Sequence, residues 1–228
     1  MRKGSGIYAK AIAKFHEIPG DFFSGRGGIP ADVRSYVEEL EATCQALRQE
    51  VDRLSIFRHL AFRDDLTGLY NRRAFEARLV EEWSRAARFE ADLTFVTIDL
   101  DGFKLVNDLA GHATGDLVLA FVARHMVAEC RGFDVPCRLG GDEFAYLLPE
   151  TNAAGAEALV RRVAERVATA SDRPVLPEGV AFGLSFGVAE RRGSSSPSDL
   201  VARADAAMYA LKRERKSEGA PSSRVFAA

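Results

Sequence analysis

Residues Arg138-Leu139-Gly140-Gly141-Asp142-Glu143-Phe144 set two adjacent glycines and two adjacent carboxylates between apolar segments. Glycine tolerates φ > 0, so Gly140 and Gly141 suit a tight hairpin turn and let a ligand approach the backbone. Asp142 and Glu143 then stand at the hairpin tip. Two like charges held together there are best explained by a divalent cation. Taken alone, the stretch is equally compatible with an ordinary Gly-Gly turn carrying solvated acids. The rest of the chain has to decide.

A chain of 228 residues holds one sizeable domain plus an appendage. With 47% hydrophobic and 28% charged residues it has the composition of a soluble globular protein. The net charge of −2 gives no footprint for nucleic acid. Cys44, Cys130 and Cys137 are odd in number and lack metal-ligand spacing, so they read as free thiols in a reducing compartment. No apolar stretch approaches the roughly 18 residues of a membrane-spanning helix. The start is too polar for a secretory signal, and a cytoplasmic location is expected.

Residues 1–30 combine a short Ala/Lys/Ile/Phe stretch with a Gly- and Pro-bearing break, and are expected to be a tail, with a protein partner as the alternative. From Pro30 a different pattern begins. Val33, Val37, Leu40, Cys44, Leu47, Val51 and Leu54 fall at alternating intervals of four and three. That is a heptad seam, with Val37, Cys44 and Val51 at position a and leucines at d, a combination that favours a parallel two-stranded coil. At Arg58 the a position turns charged and the seam ends. A dimerising helix over 31–62, a globular domain over 63–217 and a disordered tail over 218–228 are expected.

Beyond Asp64 the pattern alternates. Helices are expected near Asn71–Arg88, Thr114–Cys130, Ala153–Ala170 and Pro197–Arg215. Strands are expected at Leu93–Ile98 and Val180–Ala189, with Phe144–Leu148 as one arm of the hairpin. The fold class is α/β or α+β, helices packed on a mixed sheet.

Asp99 ends the apolar strand, with Asp101 two positions later on the same face. If this strand neighbours the hairpin, Asp99, Asp142 and Glu143 would supply hard oxygen ligands for Mg²⁺. Asp101 alone reads as a cap of the next turn. The loop Gly102-Phe103-Lys104 could cradle a triphosphate with its N–H groups, Lys104 adding a point charge. Asp116 could accept from the N1 and N2 edge of guanine, or simply cap a helix. His112 has no second His or Cys nearby and, on its own, reads as structural.

Four blocks in order resemble diguanylate cyclase (GGDEF) domains. They are Asp64-Asp65-Leu66-Thr67-Gly68-Leu69-Tyr70-Asn71-Arg72-Arg73; Asp99-Leu100-Asp101-Gly102-Phe103-Lys104 with Asn107-Asp108, Gly111-His112 and Gly115-Asp116; Arg138 through Phe144; and Ala204 through Lys212. The resemblance covers residues 60–217. It implies a palm-like fold similar to nucleotidyl cyclases, and condensation of two GTP into cyclic di-GMP with release of two pyrophosphates. By it, Asp99 and Asp142 bind two Mg²⁺ (or Mn²⁺) with the Leu100 carbonyl and Glu143, and Asp142 or Glu143 takes the hydroxyl proton. Asn107 and Asp116 hold guanine; Phe103, Lys104 and Lys212 hold phosphates; Gly102, His112 and Gly141 join the substrate-binding set. The symmetric product requires a homodimer. Arg131 and Asp134 match the family's RxxD inhibitory product site, with Arg162 as its second arginine. The chain departs from the family after Lys212, where Lys216 stands in place of an expected arginine. A catalytically silent nucleotide-binding module and a Mg²⁺-dependent hydrolase remain as alternatives at this stage.

Overall fold

The computed structural model describes residues 31–217. The expected tails at 1–30 and 218–228 lie outside the described residues, as do the side chains of Val33, Arg58 and Lys216. The chain divides into two units, Met1–Ile56 and Phe57–Ala228.

The described part of the first unit belongs to one helix, α1 (Ala31–Phe62). Along it Val37, Leu47, Val51 and Leu54 are exposed, and so is Cys44. These are heptad positions, so among the described residues this part of the apolar stripe is exposed.

The second unit continues with α2 (Arg72–Phe89), β1 (Leu93–Asp101), α3 (Phe103–Ala110) and α4 (His112–Ala128). The hairpin β2 (Val135–Gly140) and β3 (Glu143–Pro149) follows, then α5 (Ala153–Thr169), β4 (Gly183–Glu190) and α6 (Pro197–Ser217). The sheet order is β2-β3-β1-β4. Every pairing among these strands is antiparallel, and a parallel bridge between Tyr70 and Cys137 adds the opposite sense beside β2.

Side-chain alternation divides β1 between two apolar layers. Val96, Ile98 and Leu100 pack in one cluster with Phe144, Tyr146 and Leu148 of β3, Val118 and Val122 of α4, and Val160 and Val163 of α5. Leu93 and Phe95 face the other way, packing with Phe75 and Leu79 of α2, Ala145 and Leu147 of β3, and Leu200 and Ala204 of α6. Helices therefore cover both faces. Asp99 and Asp101 carry the same parity as Phe95, so both carboxylates emerge on the α2/α6 side.

The short helix α3 occupies a stretch that reads as a loop in the sequence. Gly102 is its N-cap with φ 79°, and Phe103 and Val106 anchor it in the core. No side chain caps it, so the expected capping role of Asp101 is not what the fold uses. Gly111 likewise caps α4, placing Asp116 within the helix rather than at its cap.

Two side chains fasten the segment before α2, Asn71 to the start of that helix and Arg138 to the β2–β3 hairpin. Asn71 Oδ1 accepts from the Ala74 N–H at 3.0 Å, while its Nδ2 donates to the Ala61 and Arg63 carbonyls at 3.0 and 3.1 Å. Arg138 Nη1 donates to both Asp64 oxygens at 3.0 and 3.1 Å, and its Nε and Nη2 donate to the Gly141 carbonyl at 3.0 and 2.8 Å. Asp64 also accepts from the Thr67 hydroxyl and N–H at 2.6 and 2.9 Å. Burial alone would raise the Asp64 pKa; the Thr67 and Arg138 bonds outweigh it and hold the carboxyl below its usual range.

A depressed carboxylate contributes stability that is complete above its unfolded pKa, about 4, and is lost as pH falls through the folded value. Asp64→Asn should therefore destabilise this unit at pH 7 by about 1–2 kcal/mol and flatten the loss of stability below about pH 4. Urea unfolding followed by the fluorescence of Trp83 from pH 7 to 3 checks both. An unchanged midpoint at pH 7 would dismiss the latch.

Candidate functional site

The antiparallel register of β1 on β3 places Asp99 opposite Glu143, and the Leu100 N–H donates to the Asp142 carbonyl at 3.3 Å. The strand-end carboxylate and the hairpin-tip carboxylates thus share one end of the sheet, as the sequence predicts. Gly140 pairs with Glu143, leaving Gly141 and Asp142 as the turn, with φ of 147° at Gly140 and 53° at Gly141. A side chain at either glycine would strain that turn.

Cations surround these acids. Lys212 of α6 lies with its ammonium on Asp99 Oδ2 and 4.0 Å from Asp101 Oδ1. Asp101 accepts from the buried Ser185 hydroxyl at 2.6 Å, and Ser185 lies opposite Asp99 on β4. Arg72 Nη2 approaches Glu143 Oε2 at 3.3 Å and its Nε donates to the Leu139 carbonyl at 3.0 Å.

The residues expected on the substrate side sit mainly on α3 and α4. The first N–H groups of α3 have no intrahelical partner, so the Phe103-Lys104 turn offers donors that suit an anion. Phe103 itself is in the core and Lys104 is exposed. Asn107 packs against Gly115, where an added methyl would collide with the Asn107 side-chain oxygen. His112 and Asp116 are exposed on the first turns of α4. Lys216 lies one turn beyond Lys212 on α6.

The donor set fits a hard divalent metal. Asp99 already carries a cation in the form of an ammonium, and Asp142, Glu143 and the Leu100 carbonyl add only oxygens. Among the described residues no three His, Cys, Asp or Glu side chains form a ready cage. Mg²⁺ does not need one, since it takes one or two carboxylates and completes its shell with waters and phosphate oxygens.

The second predicted region lies at another place on the fold. The loop 130–134 joins α4 to β2. Arg131 is exposed, and Asp134 is buried and accepts from the Arg131 backbone N–H at 2.7 Å. Burial raises the Asp134 pKa against that bond and the nearby guanidinium. Arg162 donates from Nε to Glu129 Oε2 at 2.8 Å.

Sequence reasoning missed Arg72, Arg138, Ser185 and Glu129. Arg138 and Arg72 stood inside recognised blocks, but nothing in their spacing says which carboxylates they meet. Ser185 and Glu129 carried no signal.

A family model described as diguanylate cyclase, GGDEF domain, matches residues 61–218. Diguanylate cyclase TpbB of Pseudomonas aeruginosa (strain UCBPP-PA14) is 38% identical over 189 residues, 81% of this chain and 42% of that protein. The chain thus spans about two fifths of that curated relative's length. Among solved structures, diguanylate cyclase SiaD of Pseudomonas aeruginosa, in complex with its activator SiaC, superposes with a TM-score of 0.67 at 33% identity, covering 93% of this chain and 79% of that one. The coiled coil and GGDEF domain of DgcB from Caulobacter crescentus, in complex with c-di-GMP, gives 0.66 at 29% identity, covering 80% and 95%. With its Gly-Gly-Asp-Glu turn paired to the Asp99 strand end, and with that match over most of its length, the chain belongs to the diguanylate cyclase GGDEF domain family.

Proposed function

We propose that this chain is a diguanylate cyclase that condenses two GTP into cyclic di-GMP and two pyrophosphates across a homodimer. The observation that carries the reading is the pairing of Asp99 with Glu143 beside the Gly141-Asp142 turn. It gathers carboxylates from two distant stretches at one sheet end, next to an anion-binding helix start. Asn107 and Asp116 hold the guanine, Asp116 accepting from an edge that adenine lacks. The α3 N–H groups at Phe103, together with Lys104, seat the phosphates, with Gly102 and Gly141 giving the chain room. His112 and Lys216 complete the substrate side, and Lys212 trades its ion pair with Asp99 for phosphate oxygens.

In each half-reaction the 3′-oxygen of one GTP forms a bond to the α-phosphorus of the other. The α–β bridging bond breaks, and pyrophosphate leaves with its electron pair. Asp142 or Glu143 accepts the hydroxyl proton. Two Mg²⁺ per site, which Asp99, Asp142, Glu143 and the Leu100 carbonyl would hold, supply neutralisation of the phosphate charge when bound. Repeating the step in the opposite direction closes the ring.

One chain presents one such half-site, so two must face each other. A second copy docking along the exposed seam of α1 keeps two domains at high effective concentration. Product returning to Arg131, Asp134 and Arg162, away from the reacting groups, holds the domains apart and gives feedback inhibition.

Purified protein incubated with GTP and Mg²⁺, with nucleotides resolved by chromatography, should yield cyclic di-GMP and pyrophosphate. GDP or GMP would point to a hydrolase, and unchanged GTP to a binding module. Asp142→Ala should lower turnover at least about 100-fold while the dimer persists in sedimentation. Wild-type turnover would remove Asp142 from the chemistry.

Deleting residues 31–56 together with all that precedes them should make the specific rate rise with protein concentration. A concentration-independent rate in that variant would discard the coil as the dimerising element.

A further inference from the structure

Glu129 caps the C-terminus of α4, and its side chain is only 9% exposed. Two arginines of α5 converge on it. Arg162 Nε meets Oε2 at 2.8 Å, and Arg166 Nε meets Oε1 at 2.6 Å. Arg162 donates its Nε–H to Oε2, and Arg166 meets Oε1 as an ion pair. A guanidinium offers donors on more than one edge, so binding through Nε leaves the terminal amino groups for another acceptor. Both side chains remain open to solvent, at 52% and 58% exposed.

Two arginines at i and i+4 repel one another on a helix surface, and an exposed ion pair returns little stability. Their shared, covered carboxylate offsets the repulsion and holds both guanidinium groups beside it. The charge of the trio remains +1, which suits an anion.

The location gives the ligand its chemistry. Glu129 stands two residues before Arg131, at the base of the loop that carries Asp134. Asp134 is 7% exposed, and its Oδ1 has no hydrogen-bond partner among the described residues. A molecule completing this region must present anionic oxygens to guanidinium groups and N–H donors to a buried carboxylate. A guanine-bearing phosphodiester has both.

We propose that Arg166 is a further phosphate-binding residue of the inhibitory product site, held in place with Arg162 by Glu129. The proposal rests on the reading of Arg131, Asp134 and Arg162 given under the proposed function, and adds to it a residue outside the RxxD motif. Only a guanidinium can serve here, because it meets Glu129 on one edge and phosphate on another. A lysine ammonium at this position is committed to Glu129.

Titration calorimetry of cyclic di-GMP into the full chain, freed of bound nucleotide, tests this with Arg166→Ala, Arg166→Lys and Arg131→Ala. Arg166→Ala should weaken binding about tenfold, the loss of one charge-assisted contact. Arg166→Lys should weaken it as much, and the initial rate of GTP turnover at low product should stay at the wild-type value in both. Wild-type affinity in either Arg166 variant, with binding lost in Arg131→Ala, overturns the role of Arg166 and leaves the RxxD site standing. Wild-type affinity in Arg131→Ala overturns the site itself and the proposal with it.

Discussion

The antiparallel seam between β1 and β3 is the constraint on which the rest of this molecule depends. It matches Leu93 with Pro149 at one end and Asp99 with Glu143 at the other, through an unbroken run of pairs. Side chains alternate with period two, so a slip of one residue would send Phe95 and Ile98 to each other's layers. The apolar clusters on the two faces forbid that slip. The meeting of carboxylates at the sheet end is thus enforced by hydrophobic packing along the strands that carry them. The acids do not have to attract one another, which they could not do.

That separation of duties explains how like charges persist at one end of a stable fold. Asp99 and Glu143, which the seam pairs, are each answered by a cation from a covering helix. Lys212 comes from α6 and Arg72 from α2, while Arg138 spends itself on Asp64 and the turn carbonyl. Exposed pairs such as Arg72 with Glu143 add little on their own. Their value lies in balancing charge at a sheet end where carboxylates from two stretches are held close together.

Much of this was legible in the sequence, and the reasons are specific. The Gly140-Gly141 hairpin followed from φ requirements, and the β1 strand from an apolar run closed by Asp99. Helix limits near α2, α5 and α6 came from periodicity to within a residue or two. The short helix α3 was not legible, because eight residues hold too few turns for a period, and its start depends on one left-handed glycine. Asp101 looked like a cap because Asp often is one; its partner Ser185 is 84 residues away, and no local pattern encodes that pairing. The same limit hid Glu129, whose partners lie on the next helix. The family blocks contained the acids together with Arg72, Arg138 and Lys212, but did not say which carboxylate each cation meets.

Arg138 ties the Gly141 carbonyl to Asp64, 74 positions earlier in the chain. Shape at the turn is therefore borrowed from a segment made long before it. During synthesis the loop 63–70 emerges first and can only await its guanidinium, so the turn acquires its final form only after Arg138 and Gly141 have been added. A protease nick within that early loop would leave the sheet standing yet unfasten the turn at its summit.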